Sequence, residues 1–271
     1  MEWWQAILLG IVQGLTEFLP VSSSGYLMIF KELLGADAEG FLDFTVTVHL
    51  ATVMATIVVF WNAIWTLLKG FFKFKYNDET DYVCKILVSL IPVALVGFLL
   101  KDQVDALFGE SLTLVGVGLL ITAGLLFFSD NAGRWLTPSR TQARNGISYW
   151  QAFVVGIAQA FAVMPGVSRS GSTIATGLIT GVKRENMAQF SFLMVLIPII
   201  GEQSLDLLKV AMGNETFGGG VGPLALCLGF VAAFISGLFA CRWMVSIVKK
   251  AKLSWFALYC LVVALLIFVL A

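Results

Sequence analysis

Long apolar segments with few charges recur along this chain, and they restrict its possible folds more than any other feature. A helix that crosses a lipid bilayer needs about 20 mostly apolar residues, within a range of about 17–25. Inside the bilayer the backbone must satisfy its own hydrogen bonds, which a helix does within one segment. Six segments meet the length requirement: 41–68, 82–100, 111–129, 187–212, 221–247 and 253–271. The sequence therefore predicts an all-α polytopic membrane protein with six transmembrane helices.

The composition agrees with a membrane protein and excludes several other classes. Of the 271 residues, 59% are hydrophobic and 13% are charged, against about 45–50% and about 25% in soluble domains. The formal net charge is zero, so nothing in the composition supports a nucleic-acid partner. The four cysteines form no CxxC pair, so neither a disulfide framework nor a zinc site is indicated.

Two further apolar stretches, 3–34 and 149–181, differ from simple spans. A proline interrupts each of them, at Pro20 and at Pro165, and serines and glycines surround both breaks. A proline inside a helix removes a backbone hydrogen bond and clashes with the preceding turn. Each stretch is thereby divided into two short apolar pieces, which is typical of segments that enter the bilayer and return. We predict two re-entrant helical hairpins.

The two hairpins are parts of an internal repeat. Trp4-Gln5-Ala6 recurs as Trp150-Gln151-Ala152, at an offset of 146 positions. We interpret the chain, 1–271, as a single membrane domain made of two repeats, 1–130 and 149–271. Each repeat has one hairpin and three spans, and because three is odd, the second is inverted relative to the first, an architecture whose sites form between the repeats. The same offset relates further unusual residues: Gln13 and Gln159, Ser22 and Ser168, Gly25 and Gly171, and Phe44 and Phe190.

The distribution of lysine and arginine predicts the orientation, because cytoplasmic loops concentrate these residues. The connections 101–110 and 213–220 together contain one lysine and no arginine. We therefore expect both termini on the outer side, the first hairpin entering from outside and the second from the cytoplasm, so that their tips meet within the bilayer. The basic connections on the cytoplasmic side are 69–81, 130–148, 182–186 and 248–252.

The first hairpin carries a polar run, QGLTEFLPVSSSGYL, at residues 13–27. An ionisable residue at membrane depth is a functional-site hypothesis by default, which singles out Glu17. Gln13 and Glu17 are four residues apart and share one helical face. Glu17 is a candidate general base towards a serine hydroxyl, or a ligand for a divalent cation bridging phosphates. Three serines follow the proline, near the start of a second short helix: Ser22, Ser23 and Ser24.

The second hairpin carries a related run, PGVSRSGST, with an arginine inside it. Ser168 and Ser170 are expected near the N-terminus of a short helix, where unpaired N–H groups and the positive dipole end bind phosphate. Arg169 adds a planar, permanently charged group suited to phosphate oxygens. The two helix starts and the arginine together predict a site for an anionic group.

Structural roles remain open for several of these residues. Gly25 and Gly171 are small residues that allow helices to pack closely. Glu17 and Arg169 are also able to form a buried ion pair that opens when substrate arrives. His49 is the only histidine, and for a lone intramembrane histidine a packing role is favoured over catalysis.

The two motifs together, QGLTEFLPVSSSG at 13–25 and PGVSRSGST at 165–173, closely resemble those of the bacterial undecaprenyl-pyrophosphate phosphatases, the bacitracin-resistance membrane phosphatases. The resemblance covers nearly the whole chain. It implies a hydrolase of the bacterial cytoplasmic (inner) membrane that converts undecaprenyl pyrophosphate to undecaprenyl phosphate and inorganic phosphate. The reaction recycles the lipid carrier of peptidoglycan synthesis. Expected partners are this lipid, the bilayer and, in a homodimer, a second copy of the chain.

The resemblance also implies roles at the matching positions. Glu17 resembles the essential carboxylate of the family, and Ser23 resembles the proposed nucleophile. From its residue chemistry we expect Glu17 also to hold a divalent cation, Mg²⁺ or Ca²⁺, that is shared with the pyrophosphate. Ser168, Arg169 and Thr173 resemble its phosphate-binding residues, of which Arg169 is expected to act in catalysis. The other residues expected to bind substrate are Gln13, where the family has Glu or Gln, and Ser22, Ser24, Gly25, Tyr26 and Ser170.

One position departs from the family pattern. The residue after Ser-Ser-Ser-Gly is usually histidine, and here it is Tyr26. A tyrosine of ordinary pKa, about 10, donates a hydrogen bond but is a poor general base at neutral pH. Glu17 then becomes the leading candidate for activating Ser23, with direct attack by a Glu17-activated water as the main variant.

A second class of function shares this architecture. Inverted repeats with broken helices at the midplane are typical of secondary transporters. The alternative to the phosphatase is therefore a lipid-phosphate transporter or flippase with the same fold. Release of phosphate from undecaprenyl pyrophosphate separates the two.

Overall fold

The computed structural model describes residues 1–36, 40–100, 103, 112–135, 144–211, 220–250 and 252–270. Within these ranges the regular structure is α-helical, apart from a 3₁₀ turn at Arg144–Gly146. The connection 101–110, apart from residue 103, and the connection 213–220, apart from residue 220, lie outside the described residues. The helices are α1 Trp3–Thr16, α2 Ser23–Leu33, α3 Phe41–Val59, α4 Trp61–Phe71, α5 Asp78–Leu99, α6 Leu112–Trp135, α7 Tyr149–Phe161, α8 Arg169–Ile179, α9 Arg184–Ala211, α10 Pro223–Lys250 and α11 Ser254–Leu270.

Helix length and composition confirm the predicted membrane class. In the described ranges three helices are long and apolar enough to cross a membrane: Asp78–Leu99, Leu112–Ala132 and Pro223–Val248. α3 and α4 pass the same test together as one broken span, and Ser254–Val269 is a shorter apolar helix. The chain is thus an all-helical, multi-pass membrane protein, and the count of six spans and two re-entrant hairpins stays a prediction.

The segment 41–68 is not one continuous helix, contrary to the prediction. Phe60 leaves the helical conformation, with φ −99° and ψ 14°, and separates α3 from α4. Neither proline nor glycine is present at this break. The ring of Phe60 instead packs on Phe192, with 5.9 Å between the ring centroids. A contact between distant residues therefore accompanies the break, and the local sequence carries no signal for it.

The breaks predicted at the two prolines are present. Pro20 lies between α1 and α2, and Pro165 lies between α7 and α8. The second helix of each pair has 11 residues. These helices begin at Ser23 and Arg169, which are related by the offset of the sequence repeat.

Hydrogen bonds inside the two hairpins also recur at this offset. The Nε2 of Gln5 donates to the carbonyl oxygen of Leu34 at 2.9 Å. The Nε2 of Gln151 donates in the same way to the carbonyl oxygen of Thr180 at 2.8 Å. Each bond ties the first helix of a hairpin to the end of its second helix. Each second helix is followed by a glycine with positive φ, at Gly35 and Gly181.

The chain divides into two compact units, each of which combines segments from both halves of the sequence. The first unit consists of Met1–Leu19, Ser23–Val59 and Val195–Met244. The second unit consists of Pro20–Ser22, Phe60–Met194 and Val245–Ala271.

In the first unit, α1 packs directly on the backbone of α10. A Cβ atom at Gly10 would overlap the carbonyl oxygen of Gly229, and one at Gly14 would overlap the hydroxyl of Ser236. The side chain of Phe44 from α3 is fully buried and lies beside Gly229. This packing fixes the C-terminal end of α1, where Glu17 follows.

In the second unit, α6 supports the break between α7 and α8. A Cβ atom at Gly118 would overlap the carbonyl oxygen of Pro165. Gly166 has φ +81°, a conformation that favours glycine, and a Cβ there would overlap the carbonyl oxygen of Val115. The turn before α8 is therefore held at backbone contact with α6, which positions the start of α8.

Candidate active site

A carboxylate–serine pair lies at the break of the first hairpin, within the first unit. Glu17 caps the C-terminal end of α1, and Ser23 begins α2. The hydroxyl of Ser23 donates to Oε2 of Glu17 at 2.6 Å. The Nε2 of Gln13 donates to the same oxygen at 2.9 Å, as their spacing of four residues on one helical face predicts. The side chain of Glu17 is only 8% exposed, so the pair lies in largely buried surroundings.

His49 from α3 also faces Glu17, although the sequence favoured a packing role for it. Its Nε2 is 3.7 Å from Oε2 of Glu17. Its Nδ1 is 2.8 Å from the carbonyl oxygen of Thr45. No local pattern predicts this approach, because it depends on the packing of α3 beside the first hairpin. His49 is thus a neighbour of the carboxylate that sequence reasoning did not place there.

A second polar group surrounds the start of α8, within the second unit. The hydroxyl of Ser168 caps this helix by accepting from the backbone N–H of Gly171 at 3.1 Å. The Oγ atoms of Ser168 and Ser170 are 3.3 Å apart. The backbone N–H of Ser168 donates to Oγ1 of Thr122 at 3.0 Å. Two buried hydroxyls therefore lie at a positive helix end, which is a favourable environment for phosphate oxygens.

Arg169 and Thr173 lie on the first turns of the same helix. Arg169 is half-buried and is the first residue of α8. Thr173 is fully buried. Its hydroxyl donates to the carbonyl oxygen of Arg169 at 2.9 Å and lies 2.6 Å from the Oγ of Ser191. In this arrangement Thr173 fastens α8 to α9, and the predicted role in phosphate binding stays a prediction.

The segment Pro20–Ser22 packs against α8 in the second unit. A Cβ atom at Gly171 would lie 3.2 Å from the Cβ of Pro20. The thiol of Cys260 donates to the carbonyl oxygen of Pro20 at 3.6 Å. This packing holds the segment Pro20–Ser22 against α8 within the second unit.

Ser22 has an unusual backbone and a buried hydroxyl. Its φ is +72°, and a non-glycine residue in the left-handed region costs about 1–2 kcal/mol. Its Oγ is buried and has no hydrogen-bond partner among the described residues. Strain of this kind concentrates at functional sites. The other predicted substrate-binding residues follow on α2, where Gly25 and Tyr26 are buried and Ser24 is half-buried.

The oxygen atoms beside Glu17 are compatible with the predicted divalent cation. The Oε1 of Gln13 is buried and lacks a hydrogen-bond partner within the described part of the chain. A carboxylate and an amide oxygen are ligand types that Mg²⁺ and Ca²⁺ prefer. In the same part of the chain no cluster of three or more His, Cys, Asp or Glu side chains offers a complete metal site. A bound cation would therefore complete its shell with water and substrate oxygens, as Mg²⁺ often does.

Comparison with known proteins decides the family. The family model described as Bacitracin resistance protein BacA matches residues 6–266. The chain belongs to this family.

Full-length relatives agree with this assignment and confirm the resemblance carried by the two motifs. The chain is 50% identical to an undecaprenyl-diphosphatase of Bacteroides fragilis over 271 residues, which covers 100% of this chain and 99% of the relative. It is 52% identical over 265 residues to an undecaprenyl-diphosphatase of Parabacteroides distasonis, covering 98% and 97% of the two chains. It is 46% identical over 267 residues to one of Christiangramia forsetii, with coverage of 98% and 97%.

Proposed function

We propose that this protein hydrolyses undecaprenyl pyrophosphate to undecaprenyl phosphate and inorganic phosphate. The observation that carries the proposal is the 2.6 Å hydrogen bond from the Ser23 hydroxyl to Glu17, which joins a nucleophile to a base. Full-length relatives named undecaprenyl-diphosphatase, about half identical in sequence, support the same substrate. The reaction recycles the lipid carrier of peptidoglycan synthesis and gives resistance to bacitracin.

The first step is attack by the Ser23 oxygen on the terminal phosphorus. The Ser23 proton moves to Oε2 of Glu17, a bond forms between Oγ and phosphorus, and the bond to the bridging oxygen breaks. Undecaprenyl phosphate leaves with that oxygen and takes the proton from Glu17, which becomes a carboxylate again. In the second step Glu17 accepts a proton from water, which attacks the phosphoserine. The bond between Oγ and phosphorus breaks, inorganic phosphate leaves, and Ser23 takes the proton back from Glu17.

The residues at the start of α8 stabilise the charge on the phosphates. Phosphoryl transfer depends mainly on positioning and electrostatic stabilisation. Ser168 and Ser170 supply hydroxyl groups, the α8 N-terminus supplies its positive dipole end, and Arg169 supplies a permanent positive charge. Tyr26 acts as a hydrogen-bond donor. A divalent cation held by Glu17 and Gln13 neutralises phosphate charge when bound.

The distribution of basic residues supports a membrane topology for this protein. We infer that the protein lies in the bacterial inner membrane with both termini outside and with two re-entrant hairpins in inverted repeats. The recurring hydrogen bonds of Gln5 and Gln151 support a common origin of the hairpins. Cysteine labelling of Trp3→Cys and Trp150→Cys variants in intact cells tests the orientation, because an impermeant reagent should modify only the first. A homodimer is tested by the mass of the purified protein in detergent.

Phosphate release by the purified protein tests the proposed activity. With undecaprenyl pyrophosphate and Mg²⁺ or Ca²⁺ present, the wild type should release phosphate. Ser23→Ala, Glu17→Gln and Arg169→Ala should each lose at least about 100-fold in turnover, because each removes a group used in the transition state. Thr66→Val is the matched control, since this exposed hydroxyl bonds only within its own helix at 2.8 Å in the described structure.

Two results would contradict parts of this proposal. Absence of phosphate release from well-folded wild-type protein, with lipid movement in proteoliposomes, would support the transporter or flippase alternative. Full turnover by Ser23→Ala would exclude the serine nucleophile and favour direct attack by a Glu17-activated water. Trapping of phosphoserine at position 23 would support the covalent route.

A further inference from the structure

The hydroxyl of Thr122 joins α6 to the start of α8. Its Oγ1 donates to the carbonyl oxygen of Gly118, one turn earlier in α6, at 3.0 Å, and the carbonyl oxygen of Gly166 is a longer acceptor at 3.5 Å. The backbone N–H of Ser168 donates to the same Oγ1 at 3.0 Å. A carbonyl oxygen only accepts and an amide N–H only donates. The hydroxyl proton therefore points to a carbonyl oxygen, and a lone pair of Oγ1 points to Ser168.

The bond between Thr122 and Ser168 lies in a buried part of the second unit. The two residues are 0% and 2% exposed. Ser168 is the N-cap residue of α8, and the first N–H groups of a helix have no acceptor inside it. The N–H of Ser168 thus depends on an acceptor outside α8, and Thr122 supplies one. Loss of that acceptor would leave a buried donor unpaired, which is costly.

A second buried threonine shows the ordinary behaviour of this side chain in an apolar helix. Thr56 is 5% exposed, and its hydroxyl donates to the carbonyl oxygen of Thr52, one turn earlier in α3, at 2.9 Å. Such bonds satisfy a hydroxyl within its own helix. Thr122 makes the same kind of bond and also accepts from a residue 46 positions away. Its second bond is what packing inside a helix does not require.

The break of the first hairpin has a weaker contact with the helix that supports it. There the thiol of Cys260, from α11, donates to the carbonyl oxygen of Pro20 at 3.6 Å, and a thiol is a weak donor. At the second break the close backbone contact at Gly118 and the hydroxyl of Thr122 act together. The firmer support is therefore at the start of α8, where Arg169 is the first helical residue.

We propose that Thr122 is a positioning residue for the phosphate-binding start of α8, which it serves by holding the backbone N–H of Ser168. The proposal rests on the proposed function and adds a residue of α6 to its machinery. Ser168 is joined directly to Arg169, so loss of the bond lets the helix end and the guanidinium shift together. A misplacement of about 1 Å costs up to about 100-fold in turnover. The effect falls on kcat, because these groups stabilise charge in the transition state.

Three substitutions of Thr122 separate the hydroxyl from packing. Thr122→Val keeps the shape and removes the acceptor, whereas Thr122→Ser keeps the hydroxyl and removes only the methyl group. With undecaprenyl pyrophosphate as the substrate, well below the melting temperature of each variant, Thr122→Val should lower kcat about 10–100-fold and leave KM within about threefold. Thr122→Ser should keep kcat within about threefold of the wild type, and Thr122→Cys, with a weakly accepting thiol, should lie between them. Thr56→Val is the matched control and should leave kcat unchanged.

A double-mutant cycle adds a readout that a general loss of packing would not change. Arg169→Lys keeps the positive charge but loses the planar guanidinium, and its residual turnover is measured with ³²P-labelled substrate. In this background Thr122→Val should lower kcat by less than about threefold, because residues that act as a unit are not additive. Thr56→Val should leave kcat unchanged in both backgrounds.

The outcomes distinguish failure of this role from failure of the proposed function. An inactive, well-folded wild type would remove the proposed function itself. An active wild type with equal kcat for the Val and Ser variants would overturn only the role of Thr122, as would a loss confined to KM. Independent effects of Thr122→Val and Arg169→Lys would overturn it as well. If Thr122→Val does not fold, the comparison of Thr122→Ser with Thr122→Cys decides, and equal kcat in these two variants would overturn the role.

Discussion

A buried ion pair in the second unit offers a sharp test of how the second hairpin is supported. Lys85 and Asp81 are 2% and 3% exposed. The Nζ of Lys85 donates to Oδ2 of Asp81 at 2.5 Å and to the carbonyl oxygen of Arg144 at 2.7 Å. Asp81 also accepts from Tyr149 at 3.1 Å. The pair thus ties α5 to the turn before α7 and to α7 itself.

Substitution of one partner should be much more harmful than substitution of both. Lys85→Met leaves the carboxylate of Asp81 buried without a cation, which costs about 3–5 kcal/mol of unfolding free energy. The double variant Asp81→Asn/Lys85→Met removes both charges and keeps an acceptor for the Tyr149 hydroxyl. Its remaining losses are the unpaired carbonyl oxygen of Arg144 and the hydrogen bond from Asn145 to Oδ2 of Asp81, together about 1–3 kcal/mol. The double variant should therefore be more stable than the single one by about 2 kcal/mol.

Reversible unfolding in mixed dodecylmaltoside and SDS micelles, followed by tryptophan fluorescence, measures these differences. Lys183→Met is the matched control, because this lysine is exposed and its loss should change stability by less than about 0.5 kcal/mol. The reasoning is refuted if Lys85→Met stays within about 1 kcal/mol of the wild type. It is also refuted if the double variant is less stable than Lys85→Met.

Three further predictions concern the second hairpin and the cation. Gly118→Ala should lower the unfolding free energy by about 1–3 kcal/mol, because the added Cβ overlaps Pro165. Gly124→Ala, which has open space around it, is the control and should not lower the unfolding free energy. Equal thermal unfolding of the two variants would contradict the packing of α6 against Pro165. Ser168→Ala removes the cap from the N–H of Gly171 and should lower the unfolding free energy by about 1 kcal/mol. It should also reduce phosphate release. An unaltered melting curve together with unaltered turnover would disprove this prediction. Chelation with EDTA should abolish phosphate release and added Mg²⁺ or Ca²⁺ should restore it, so release that persists in EDTA argues against the cation.

The parts of the site that sequence could predict depend on neighbouring residues. Proline removes a helical hydrogen bond, and together with the serines and glycines around Pro20 and Pro165 it predicts both hairpin breaks. By contrast, α5 and α9 continue through Pro92 and Pro198. Residues four apart share a helical face, so the contact of Gln13 with Glu17 follows from their spacing. Long apolar segments indicate the membrane class through composition alone.

Tertiary structure decided the features that join residues far apart in the chain. His49 lies 32 positions from Glu17, and no periodic pattern links α3 to the end of α1. Phe60 ends α3 without a helix-breaking residue and packs on Phe192. Lys85 reaches Arg144 across 59 positions.

The physical reason for this division is the range of each effect. Backbone conformation and apolar periodicity act over a few residues, so the sequence by itself determined the helical membrane class, the two proline breaks and the candidate residues near them. The partners of a buried charge or ring depend on which helices pack together, which is set by the sum of many weak contacts. Only the tertiary structure therefore decided that Ser23 donates to Glu17, that His49 faces the same carboxylate and that Thr173 is bonded to Ser191.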